Sequence, residues 1–185
     1  DVLFIYNFHS SLPNNNINEY KNIITYLQNL LPLKSNNFTS ITIYAWNRKA
    51  GLPYENENIK YAESYVGIEY ENPSNYVFVT SIPDNEFIYN DLHRYGVIVH
   101  EYFHIYQAYK LNNFPNFNIL WIVEGHASLF ESLYTLETYN STTSINSQLN
   151  MYSLDTSVLT NPELYELRSS AKSNYSNSVY ITLVL

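Results

Sequence analysis

Residues 90–110 read NDLHRYGVIVHEYFHIYQAYK. Apolar side chains recur through this stretch, it contains no proline, and Asn90 or Asp91 can cap its start, so the spacing predicts one buried helix. Inside it stands His100-Glu101-Tyr102-Phe103-His104. On a helix, positions four apart lie one above the other, so the two imidazoles can bind one ion. Glu101 sits one residue round from His100, near such an ion without being needed as a ligand. It is placed to take a proton from a water that a metal has made acidic.

A metal held by two histidines needs a third protein donor. The pattern that continues with Gly at 107 and His at 110 is excluded, because those positions hold Gln107 and Lys110. Downstream, residues 112–118 with Pro115 read as a loop, and residues 119–138 (ILWIVEGHASLFESLYTLET) as a second helix. Glu124 lies on that helix, with nineteen residues between it and His104. A helix, a short loop and a return helix fit that gap, so Glu124 can face the two histidines. Gly125 beside it costs a helix up to ~1 kcal/mol and marks a close approach of another element, here the His helix.

Upstream the period changes from helix to strand. Residues 2–8, 40–46, 63–70 and 76–82 read as strands, the last two as a hairpin joined by Glu71-Asn72-Pro73-Ser74-Asn75. Residues 17–31 carry apolar positions at helical spacing after an Asn-rich cap region, and Pro32 closes them. Beyond the second helix, weaker helical stretches are expected near 145–152, 162–172 and 176–185. Strands dominate the first half and helices the second, an α+β order. Residues 1–110 are expected to form a sheet lobe that includes the His helix. Residues 111–185 are expected to form a helical lobe carrying Glu124, the two together making one catalytic domain with the metal between them.

Composition narrows the function classes. The chain has 185 residues, nine Lys+Arg against seventeen Asp+Glu, and a formal net charge of −8. Nucleic acid and anionic membrane surfaces require basic patches, so neither is an expected partner. No apolar run reaches the ~18 residues of a transmembrane helix. The absence of Cys excludes disulfides, thiolate metal sites and a cysteine nucleophile. The 26 Asn and 20 Tyr make the three Asn-X-Ser/Thr triplets at Asn37, Asn140 and Asn174 expected by chance. The sequence opens on Asp1 ahead of an apolar strand and stops inside the apolar run 179–185, which leads us to expect a fragment or processed product.

HEYFHIYQ followed by WIVEGHASLFE resembles the gluzincin clan of zinc metallopeptidases. Its wording is similar to that of bacterial collagenases (HEY-x-H, then W-x-x-EG-x-A) and of the clan's aminopeptidases (EGH-x-x-x-x-E). The likeness covers roughly 76–138. It implies a thermolysin-like zincin fold, with His100, His104 and Glu124 binding Zn2+ and Glu101 as general base and acid. It also implies Glu131 as an acceptor for a ligand imidazole. A tyrosine that stabilises the oxyanion is expected farther along; Tyr175 is the candidate and Tyr180 the second. The strand 63–70 would pair with a peptide or protein substrate. The aminopeptidases' Gly-x-Met-Glu-Asn motif is absent. The acidic surface and the clan's habits favour an extracellular or cell-envelope setting.

The remaining histidines read differently. His93 lies seven before His100 on the same face and is expected to be satisfied locally at the helix start. His126 points away from the Glu124 face, and His9 follows the first strand without an evident partner. Tyr102, Tyr106 and Tyr109 read as packing. A hydrolase is thus the leading expectation. The alternative is a binding or surface module that keeps the metal site without turnover, although such a module has no need of Glu101.

Overall fold

Three short runs rich in β-branched and aromatic residues build the parallel part of a four-stranded sheet. They are β1 (Leu3–Phe8), β2 (Ser40–Asn47) and β4 (Asn75–Ile82), and the edge strand β3 (Ser64–Ile68) completes it. The computed structural model describes residues 1–35, 38–111 and 121–150. The chain divides into two units, Asp1–Phe114 and Pro115–Leu185. The whole sheet belongs to the first.

Strand order is β1-β2-β4-β3. β1, β2 and β4 run parallel, with Ile43 opposite both Tyr6 and Phe78. β3 returns antiparallel to β4, with Val66 opposite Phe78. The expected hairpin is therefore present, and the sheet is mixed. Every residue of β4 is buried, as a strand covered on both faces requires.

One face carries Phe8, Ile43, Phe78 and Thr80, and α1 (Asn14–Leu30) packs there. Tyr20 of α1 lies against Phe8 and Phe78 (ring centroids 5.0 and 6.1 Å), and its hydroxyl meets Thr80 Oγ1 at 3.1 Å. On the opposite face Trp46, Val77 and Val79 gather with Ile59 of the short helix α2 (Glu57–Lys60). Tyr54 packs on this cluster, and its hydroxyl donates to the Asn7 carbonyl at 2.6 Å.

α1 starts at Asn14, three residues before the expected Ile17. Pro13 occupies the cap position and no side chain caps the helix. Asn16 is drawn inside, where its Nδ2 donates to the Tyr95 hydroxyl at 2.9 Å. A second correction concerns residues 84–111. A short helix α3 (Asp84–Ile88), which was not expected, precedes the His helix α4 (His93–Leu111). Asn90 adopts a left-handed conformation (φ 53°) and so cannot continue a helix. The cap is Asp91, whose Oδ1 accepts from the His93 amide at 2.9 Å. α4 turns Tyr95, Ile98, Val99, Tyr102 and Ile105 into the interior. Tyr102 stacks on Phe4 and donates to the Leu31 carbonyl at 2.8 Å, with Gln28 Oε1 at 2.9 Å. Tyr102 is packing, as expected, whereas Tyr106 and Tyr109 are half-buried.

In the second unit the expected helix 119–138 is not uniform. Trp121–Gly125 form a wide π turn. The backbone at Gly125 is right-handed (φ −64°, ψ −43°), so this turn runs directly into α5 (His126–Tyr139). Asn140 closes α5 in a left-handed conformation, its amide donating back to the Thr135 carbonyl. α6 (Thr143–Asn150) follows. The stretches expected to be helical at 162–172 and 176–185 lie outside the described residues. Among those described, no helix is long and apolar enough to cross a membrane.

Candidate metal centre

α4 buries one side and leaves a stripe open. His93, Val97, His100, His104, Gln107 and Leu111 succeed one another in steps of four and three, and none of them is buried. That spacing is one face of a helix. His100 and His104 therefore stand one turn apart on the open stripe, while Glu101 between them is buried.

The two imidazoles converge. Their Nε2 atoms are 3.1 Å apart, with ring planes at 81°. His104 Nδ1 lies 2.9 Å from Gln107 Oε1. An amide oxygen only accepts, so this bond fixes the His104 proton on Nδ1 and leaves a lone pair on Nε2. Nε2 of His100 then meets that lone pair either as a donor or across a shared cation. Two nitrogens bound to one tetrahedral ion at ~2.05 Å stand about 3.3 Å apart, close to the spacing found.

Glu124, in the π turn, is half-buried. His100, His104 and Glu124 each offer one ligand atom, and the three atoms lie within 4.8 Å of one another, a cluster that could hold a metal ion. Two imidazole nitrogens and a carboxylate oxygen form a donor set suited to a divalent transition ion. Among the described residues this is the single such group of three or more.

Glu101 is buried and exerts its charge on the Tyr20 hydroxyl. Burial is the main reason Tyr20 sits above the usual phenol range; the Thr80 hydrogen bond opposes that rise and the Glu101 charge adds to it. Glu131 is also buried, rather than a solvated helix carboxylate, and its Oε1 accepts from Ser144 Oγ at 3.3 Å. Tyr175 and Tyr180 lie outside the described residues.

Three further histidines have local partners. His126 Nδ1 lies 2.6 Å from the Ile122 carbonyl. His9, expected to lack a partner, accepts at Nδ1 from the Ser11 amide at 3.2 Å, with Ser11 Oγ at 3.0 Å. His93 Nδ1 meets Glu86 Oε1 at 2.9 Å. The sequence reading missed Gln107 and Glu86. Gln107 was legible as the residue three beyond His104, one turn along the same face. Glu86 was not, because α3 was not foreseen.

Comparison with family models, with curated proteins and with solved structures gave no match.

Proposed function

We propose that this chain is a zinc-dependent peptidase of gluzincin type with a thermolysin-like zincin fold. The observation that carries the reading is the convergence of His100, His104 and Glu124, with a buried glutamate between the histidines. The mixed sheet ending in the antiparallel strand β3, followed by the His helix, supports the fold.

His100, His104 and Glu124 would hold the ion. Zinc, when bound, supplies a Lewis acid that acidifies water and polarises a scissile carbonyl. Gln107 keeps His104 in the tautomer that presents Nε2. The role of Glu101 is to accept a proton from the attacking water and return it to the leaving amine. Its burial keeps competing water away from the carboxylate. Glu131 is assigned to orient a ligand imidazole, and Tyr175 or Tyr180 to the oxyanion. The edge strand β3, with one side unmatched in the sheet order, supplies main-chain donors and acceptors for an extended peptide.

The test is a mass-spectrometric scan of a mixed peptide library, wild type beside Glu101→Gln, both zinc-loaded. Cuts made by wild type alone establish the peptidase, and their positions distinguish endo- from exopeptidase. No cuts from a folded, zinc-loaded wild type would replace this reading with a metal-holding binding module.

A further inference from the structure

β1 stands at one border of the sheet, with β2 as its neighbour in the strand order. The Leu3 amide donates to the Thr39 carbonyl and the His9 amide to the Ala45 carbonyl, both at 3.0 Å. Main-chain groups alternate in direction along a strand, so Leu3, Ile5, Asn7 and His9 turn theirs toward β2. Phe4, Tyr6 and Phe8 turn theirs outward, and among the described residues no strand lies beyond them. Leu3 and Ile5 are 61% and 44% exposed. By alternation they share the face on which Tyr54 lies. On the other face Lys21 lies over the rings of Tyr6 and Phe8.

Edge strands are ordinarily guarded by charge, proline, a bulge or shortness. LFIYNF has none of these: it carries no charged residue and no proline, and its register against β2 is unbroken. Such an edge is a template for a further strand, and its two ends indicate which. Asp1 lies before the strand and His9 follows it. Let two copies of β1 run antiparallel about a twofold axis at Ile5. Phe4 then falls opposite Tyr6 of the second copy, and Phe8 opposite its Val2, each pair exchanging both main-chain hydrogen bonds. Ile5 meets Ile5 on the axis, Leu3 meets Asn7, and Asp1 meets His9. The His9 ring suits that neighbour. Its Nδ1 accepts from the Ser11 amide at 3.2 Å, which places the ring proton on Nε2 and leaves Nε2–H as a donor for a carboxylate. The other border of the sheet fails the same construction. Pairing β3 with itself about Val66 sets Glu63 against Glu69 at both ends, and like charges directly opposite are destabilising.

We propose that the outer edge of β1 pairs antiparallel with the same edge of a second copy of this chain, joining two four-stranded sheets into one. Copies of net charge −8 repel one another at a distance. An uncharged strand with complementary ends is where they can approach. The inference stands apart from the peptidase reading and leaves β3 free for the peptide assigned to it.

The experiment is sedimentation equilibrium of the chain over a range of concentrations at ~0.15 M salt, which should show a monomer–dimer equilibrium. Ile5→Lys changes an exposed position and sets two like charges on the axis. It should weaken the dimer by about tenfold or more, with the thermal unfolding of the monomer confirming its fold. The amides of Phe4, Tyr6 and Phe8 should exchange slowly in the dimer and fast in Ile5→Lys.

The register has its own readout, because the chain has no Cys and one introduced thiol reports one position. Cα atoms of a directly opposed pair of this kind stand about 4.5 Å apart, within the ~4.4–6.8 Å that a disulfide spans. Ile5→Cys should therefore link into a covalent dimer under mild oxidation. Leu3→Cys is the more exposed position and should not, since the two Leu3 residues are displaced by four residues, about 13 Å. A chain that stays monomeric at every concentration overturns the proposal; slow exchange at Tyr6 in that monomer would show the edge covered from within the chain. A dimer that Ile5→Lys leaves intact, or in which both thiols or neither link, also overturns it, because the copies then join elsewhere or in another register.

Discussion

Gln107 Oε1 accepts from Nδ1 of His104, one turn back along α4, at 2.9 Å. The bond selects the tautomer of a candidate ligand and fixes the plane of its ring. Outer partners of this kind are worth 10–100-fold in metal affinity. Gln107→Ala should therefore weaken zinc binding by about tenfold or more, and Gln107→Glu should restore it, because a charged acceptor makes the imidazole more basic. Competition against a chromophoric chelator measures both. Equal affinity in wild type and Gln107→Ala would show that the ring needs no such guide.

The three donors and Glu101 separate cleanly. His100→Ala and His104→Ala should lose stoichiometric zinc after dialysis, and Glu124→Ala should bind it more weakly. Glu101→Gln should retain the metal and lose turnover. Metal content by mass spectrometry decides the first three, and tight zinc in Glu124→Ala would remove that residue from the ligand set. For wild type, a chelator should lower the midpoint of thermal unfolding by roughly 5–10 °C if zinc is bound at about a hundred times its Kd.

Tyr102 ties α4 to the end of α1 through its contacts with Gln28 and the Leu31 carbonyl. Tyr102→Phe keeps the ring that stacks on Phe4 and strands two acceptors. It should cost about 1–2 kcal/mol, read as a shift in urea midpoint without a change in slope. A neutral result would mean that water replaces the hydroxyl.

The buried tyrosines make the chain sensitive to alkali. Burial, and secondarily Tyr44, push the Tyr54 hydroxyl up from 10.0 to about 12. Burial likewise raises Tyr6, Tyr20, Tyr76 and Tyr102. The folded chain then keeps protons that the unfolded chain has released. Their contribution to stability is complete below pH ~10 and falls as the pH rises through the folded values. Phenolate absorbance should show part of the tyrosines ionising only as the chain unfolds, and Tyr54→Phe should lessen the loss of stability between pH 10 and about 12. Smooth, reversible ionisation of every tyrosine near pH 10 in a folded protein would contradict this.

Strands were legible wherever β-branched and aromatic residues clustered, as in SITIYAW and NYVFVTSI, and the hairpin followed from its turn residues. The parallel pairing of β1, β2 and β4 was not, because register between distant strands is set by packing rather than by local pattern. α3 escaped notice because five residues show no period. The early start of α1 depends on Asn16 finding the Tyr95 hydroxyl 79 residues away, which no local rule contains. The two histidines were legible from spacing alone, since a helix fixes their separation. Glu86 depended on a corner built by Asn90, Asp91 and Arg94, and became visible only with the fold.

α4 mounts His100 and His104 on one uninterrupted stretch of backbone whose opposite side is locked into the sheet. Changing the distance between the two Cα atoms would break helical hydrogen bonds or expel Ile98, Val99 or Ile105 from the interior. The pair is thus a jaw on a fixed base, its Nε2 atoms standing 3.1 Å apart. Glu124, with three rotatable side-chain bonds, is the adjustable member. A hard ion that needs many oxygen donors, as calcium does, is poorly matched both by the two imidazole nitrogens and by the backbone that holds them in place.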